Sequence, residues 1–121
     1  MIPESIKIDE VEYTRKDNTE ERARALSGKP YVICRTQSAG VFAGYLTRKE
    51  GEEVTLIHAR RLWFWSGAAS LSQAAEEGFL RPESCKFPQE VACVELRAWI
   101  ELLSCSERAR KNIASIPVWK S

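Results

Sequence analysis

Catalytic side chains are scarce in this chain. Its 121 residues include one histidine, His58, and two aspartates, Asp9 and Asp17. A Ser-His-Asp arrangement would have to recruit one of those aspartates, or a glutamate, to orient His58. His58 sits among Leu56, Ile57 and Ala59, the setting of a strand histidine satisfied by a backbone group more than of a general base. Paired catalytic carboxylates need two acids in one pocket, whereas the glutamates fall mostly at turns, helix starts and alternating solvent faces. This inventory weighs against an enzyme. The glycine-bearing stretch Gly40-Val41-Phe42-Ala43-Gly44 lacks the Gly-Lys-Ser/Thr ending that cradles a triphosphate. Val41 and Phe42 read as core, and Gly44 as a point of close backbone approach. No cofactor fingerprint appears.

Other absences narrow the class further. No run approaches the roughly 20 apolar residues of a membrane-spanning helix. Met1 to Tyr13 holds four carboxylates and lacks the basic start and apolar centre of a signal peptide. The expected location is therefore the cytoplasm. A formal net charge of +1 argues against a coat for nucleic-acid polymers and against a polybasic membrane anchor, while leaving room for a local basic patch. Cys34, Cys85, Cys93 and Cys105 form no C-x-x-C pair. Buried thiols are the expectation over structural zinc, and a reducing compartment disfavours disulfides.

What is present describes one small α+β domain. Residues 1–29 read as an extension in which Thr19 to Leu26 is a short helix, capped by Asn18 or Thr19 and ended by Gly28. Residues 30–121 form the body. Tyr31 to Thr36 is a β-branched and aromatic strand, and Gln37 to Gly40 a turn. Val41 to Lys49 is a second strand, with Phe42, Gly44 and Leu46 on one face and Val41, Ala43 and Tyr45 on the other. Glu50-Gly51-Glu52 turns the chain into a third strand from Glu53 to Arg60, completing an antiparallel meander. A helix runs from about Ser70 to Glu77, with Ser70 and Gln73 at capping-box spacing and Gly78 as the stop. Val91 to Leu103 alternates at Val94, Leu96, Ala98, Ile100 and Leu102, which favours a strand, although its Ala, Leu and Glu content also suits a helix. Ser104 and Glu107 then open a helix through Ile116, with Ala109, Ile113 and Ile116 buried. The expected fold is an antiparallel sheet, a meander plus a C-terminal strand, with two short packed helices.

The chemistry concentrates in Arg60-Arg61-Leu62-Trp63-Phe64-Trp65-Ser66-Gly67-Ala68-Ala69-Ser70. Arginine forks grip phosphate, tryptophan faces stack a base, and a helix start favours an anion. The same alternation is also what plain core would give, with the arginines solvated beside it. Arg108, Arg110 and Lys111 make a second basic cluster, which reads first as a solvated helix face and matters only if folding or dimerisation brings it over the same pocket. Four tryptophans in so short a chain also suit a subunit interface.

Several stretches resemble small phage proteins: residues 31 to 46 (YVICRTQSAGVFAGYL), 59 to 73 (ARRLWFWSGAASLSQ), 85 to 88 (CKFP) and 116 to 120 (IPVWK). On them the chain resembles the first described family of Thoeris anti-defence proteins over residues 30 to 120, with the extension falling outside that pattern. The resemblance implies a sponge that binds glycocyclic ADP-ribose tightly without degrading it, in some members also cyclic di- or trinucleotides, and that assembles as a homodimer or higher oligomer. The stretches match as wholes and not contact by contact. The candidate ligand-binding residues are therefore chosen on chemistry: Arg35, Arg60, Arg61, Trp63, Trp65, Ser66, Ser70, Gln73, Phe87 and Lys111. A protein-interaction module that inhibits a host protein through the same aromatics remains the alternative.

Overall fold

The computed structural model of the protein describes residues 28–120 and the backbone of Arg24 and Ala25. The fold is α+β. Strands β2 (Lys29–Thr36), β3 (Val41–Glu50) and β4 (Glu53–Arg61) form the expected antiparallel meander. The expected helix at Thr19 to Leu26 lies mostly outside the described residues. Its described part, Arg24–Ala25, is instead a two-residue strand, β1, paired with Pro30 and Lys29.

The stretch after residue 90 is extended, as its alternation favours, but it is two strands. β5 (Val91–Arg97) pairs with β4, and β6 (Trp99–Ser104) pairs with β2. Ala98 joins them with a positive φ of 55°. At that corner the Ala98 carbonyl accepts from the Gln37 N–H beyond β2, and the Trp99 N–H donates to the Glu52 carbonyl just before β4. The two edges of the sheet are thus successive pieces of one chain, which forces the sheet to roll up. An uninterrupted strand could serve only one of those edges.

Rolling gives the sheet two buried faces. Inside lie Val32, Cys34, Phe42, Val54, Leu56, Ala59 and Leu96, with Leu46, Val94, Trp99 and Leu102 packed against them. Outside, Tyr31, Ile33, Ala43 and Tyr45 meet the helices and the intervening loop through Ala74, Phe79, Phe87, Ala109, Ile113 and Ile116. The two faces of β3 therefore divide as the alternation predicts. Phe79 and Phe87 are fully buried and meet edge to face at 5.2 Å, each contributing roughly 1.5–3 kcal/mol by burial.

Helix α1 (Leu71–Glu77) starts as expected: Ser70 Oγ accepts the Gln73 N–H, and Gly78 ends it at φ 82°. Helix α2 (Glu107–Ser115) starts two residues later than its capping box suggests, with Ser106 as the cap. Ser104 is still held in the sheet opposite Val32. The fully buried Ser106 hydroxyl both accepts the Ala109 N–H and donates to the Glu76 carbonyl at 2.7 Å, which fastens the start of α2 to the end of α1.

The cysteines do not converge. Cys34 is on the inner face, Cys85 and Cys105 are under the helices, and Cys93 is exposed on β5. Among the described residues, no three metal-binding side chains cluster and no helix is long and apolar enough to cross a membrane.

Candidate functional site

A bulge in β4 shapes the main cleft. Tyr45 pairs with Ile57 and Ala43 with Arg60, so two residues of β4, His58 and Ala59, lie opposite Gly44 alone. His58 takes a positive φ of 48°, the local backbone that lets a bulge re-aim the side chains after it. Gly44 is needed there. A Cβ at that position would stand 3.0 Å from Ala59 Cα and 3.1 Å from the Ile57 carbonyl oxygen.

Beyond the bulge, Arg60 points to the helix side of the sheet. It is only 6% exposed, yet it lines a cleft of about 520 Å³. Its guanidinium donates to three carbonyls: Nε to Pro88 at 3.0 Å, Nη1 to Ile113 at 2.9 Å and Nη2 to Phe87 at 3.2 Å. It also lies 5.5 Å from the Phe87 ring centroid. All of these partners are uncharged, and no described carboxylate pairs with Arg60. Burial lowers its affinity for its proton while Tyr31 and Glu90 act the other way. An arginine remains a cation under such pressure.

The rest of the cleft comes from separate elements. Tyr31 and Tyr45, cross-strand partners on β2 and β3, stack edge to face at 4.9 Å. Burial, then the neighbouring Cys105, Tyr45 and Glu90, pushes the Tyr31 phenol well above its usual range, so it stays a neutral donor. Tyr45 lies edge-on to His58, and His58 Nδ1 is 3.0 Å from Glu90 Oε2 at the mouth. From α2 comes Arg110, which grips Glu107 with two nitrogens and reaches the Tyr45 hydroxyl at 3.4 Å. The bond to Glu107 holds Arg110 more firmly protonated and depresses the Glu107 carboxyl. Ala114, Ile116 and Val118 supply an apolar wall.

The sequence-chosen residues are distributed over several places. Arg60 is in the main cleft. Arg61, its neighbour on the strand, faces the opposite way: it stacks 4.4 Å from the Phe42 ring centroid, donates to the Ala39 carbonyl, and lines a groove of about 340 Å³ with Trp63 and Trp65. Adjacent strand residues point to opposite faces, so the two arginines serve different hollows. Arg35 is on the outer face of the sheet, paired with Glu101 at 3.1 Å. Ser66 offers its carbonyl to the Cys85 thiol. Ser70 and Gln73 cap α1, with Gln73 Oε1 also accepting the Ala69 N–H. Phe87 is wholly buried beneath Arg60, and Lys111 is exposed on α2.

Sequence reasoning missed Tyr31, Tyr45, His58 and Glu90 as members of one cleft, and it held Arg110 only conditionally. A signal was available in the tyrosines. Two phenols at buried positions of neighbouring strands each need a polar partner, which plain core positions filled by phenylalanine would not.

The chain belongs to the family described as Domain of unknown function (DUF6948), whose model matches residues 29–113. No curated protein and no solved structure matches the chain.

Proposed function

We propose that this is a non-catalytic binding protein, a phage anti-defence sponge that sequesters a cyclic nucleotide signal such as glycocyclic ADP-ribose or a cyclic di- or trinucleotide. The observation that carries this reading is Arg60: a buried cation, bonded among the described residues only to neutral carbonyls, lining a cleft that also holds Arg110 and two tyrosine rings. A buried charge with no carboxylate bonded to it is costly, and an anionic ligand would relieve that cost. The cleft has room for a compact nucleotide, and its tyrosine rings and apolar wall suit a base or sugar. The sequence resemblance gives the same chemical class.

A thermal-shift screen against cyclic ADP-ribose isomers and cyclic di- and trinucleotides tests the reading. A ligand at a hundred times its dissociation constant adds about 2.7 kcal/mol, several degrees for a domain of this size. Heating the complex should then release the ligand intact. Released product in degraded form would sink the sponge reading in favour of hydrolysis, for which the His58–Glu90 pair would be the natural base.

The second reading, a module that blocks a host protein, is favoured by Trp63 and Phe64, which are 62% and 51% exposed side by side. Large exposed aromatics are common anchors of protein interfaces. Self-association into a homodimer or higher oligomer would use the same surface. A stoichiometric host partner in pull-downs, together with no thermal shift from any nucleotide, would replace the first reading with this one.

A further inference from the structure

Glu90 is an odd resident of a cleft whose other charges are two arginines. Its carboxylate is more than half exposed at the mouth, with His58 Nδ1 at 3.0 Å as its one bonded partner among the described residues. It is also close enough to act on Tyr31 and Arg60. A phosphate would be repelled at that end and drawn to the arginine end. Whatever part of a ligand meets Glu90 must instead supply hydrogen-bond donors.

The acceptors available there are two, on two different residues. When a neutral imidazole donates from Nδ1 to Glu90 Oε2, its Nε2 is left as an acceptor, and Glu90 Oε1 is the other. Two separate acceptors match two adjacent hydroxyl donors better than one amino group. Carboxylates make this contact to ribose hydroxyls elsewhere in nucleotide recognition. The backbone also commits His58 to its position: a non-glycine residue at φ 48° inside a strand is held there by the bulge opposite Gly44.

We infer that Glu90, oriented by His58, reads a vicinal ribose diol, so that the cleft selects ribonucleotides over their deoxy counterparts with the phosphates at the Arg60 and Arg110 end. This rests on the reading of the cleft as a nucleotide site. It makes Glu90 the residue that sets specificity, and the arginines the residues that set affinity.

The test is calorimetric titration of the full chain with cyclic ADP-ribose and with analogues lacking the 2′-hydroxyl of one or the other ribose, on the wild type and on Glu90→Gln. A hydroxyl donating to a carboxylate gives an expected preference of about 10-fold or more for the ribose form over one of the analogues. Glu90→Gln should fold normally, since the side chain is exposed, and should shrink that preference to within about 3-fold. The ratio is the informative quantity, because removing a negative charge also raises affinity for any phosphate. Equal affinity of the wild type for all three compounds overturns the diol assignment while leaving nucleotide binding intact. A preference that survives in Glu90→Gln overturns the role of Glu90. Failure of the wild type to bind any of the three overturns the assignment together with the nucleotide reading beneath it.

Discussion

Replacing Arg60 by alanine should damage the fold as well as the cleft. The side chain ties three pieces together: it leaves β4, reaches the carbonyls of Phe87 and Pro88 in the loop before β5, and reaches the carbonyl of Ile113 near the end of α2. Hydrogen bonds to a charged group contribute about 1.5–3 kcal/mol each. The full sum of three is not lost, for two reasons. Alanine removes the desolvation cost of the buried cation, and the cleft lets water reach at least part of the vacated space. A net destabilisation of about 2–4 kcal/mol remains, or a melting temperature roughly 10–20 °C lower for a domain of this length. Arg61→Ala is the natural control. Its guanidinium lies across Phe42 and makes one bond to Ala39 at the surface, so its loss should cost under about 1 kcal/mol.

Urea unfolding followed by tryptophan fluorescence measures both variants, with unchanged slopes certifying that the unfolded states are comparable. Equal effects of the two substitutions would refute the argument, because it depends on adjacent strand residues serving opposite faces. An Arg60→Ala protein melting within about 2 °C of the wild type would refute it more directly, by showing that the three carbonyls find other partners at no cost.

Two further outcomes follow from the helix layer and the thiols. Ser106→Ala removes both the cap of α2 and the bond to the Glu76 carbonyl, with no water at hand in a fully buried site; a loss of about 2–3 kcal/mol in urea unfolding is expected. With a thiol reagent at neutral pH, one cysteine of the native protein, the exposed Cys93, should react promptly, while Cys34, whose thiol is pushed up to about 11 by burial, and the buried Cys85 and Cys105 should react only on unfolding. Mass mapping of the labelled site decides this, and prompt labelling of Cys34 would contradict the packing of the inner face.

The meander and both helices were legible because their signals are local. Tyr31 to Thr36 and Val41 to Lys49 carry β-branched or alternating side chains, and the Ser70 and Gln73 spacing marks a helix start without reference to anything distant. The features that went unread depend on partners. Nothing in Val91 to Leu103 announces a break at Ala98, since the alternation runs straight through it. The break exists because β4 and β2 each need a neighbour and one chain supplies both. Ile100, inward by alternation, ends up half exposed just past that corner. The α2 cap moved from Ser104 to Ser106 for the same kind of reason: the sheet claimed Ser104 first.

The cleft follows that logic a step further. Its chemistry was expected from the dense cluster at residues 60 to 70, but sequence proximity is a poor guide on a strand, where consecutive residues part company. The cleft instead joins residues from β2, β3, β4, the loop before β5, α2 and the segment after it, spread from Tyr31 to Val118. Only Arg60 belongs to both groups. Its position depends on the extra residue at His58, which lets the strand bulge against Gly44 and sets the faces of everything that follows. If the same residues paired without the bulge, His58 would take the place opposite Gly44 and Ala59 the place opposite Ala43, so Arg60 would fall opposite Phe42 on the inner face and Arg61 would turn to the helix side, as a one-residue slip does anywhere in a sheet. The bulge at His58 therefore decides which arginine is buried over Phe87 and which is left at the surface groove with the tryptophans. That makes the backbone at Gly44 and His58 as much a determinant of the cleft as the charged side chains within it.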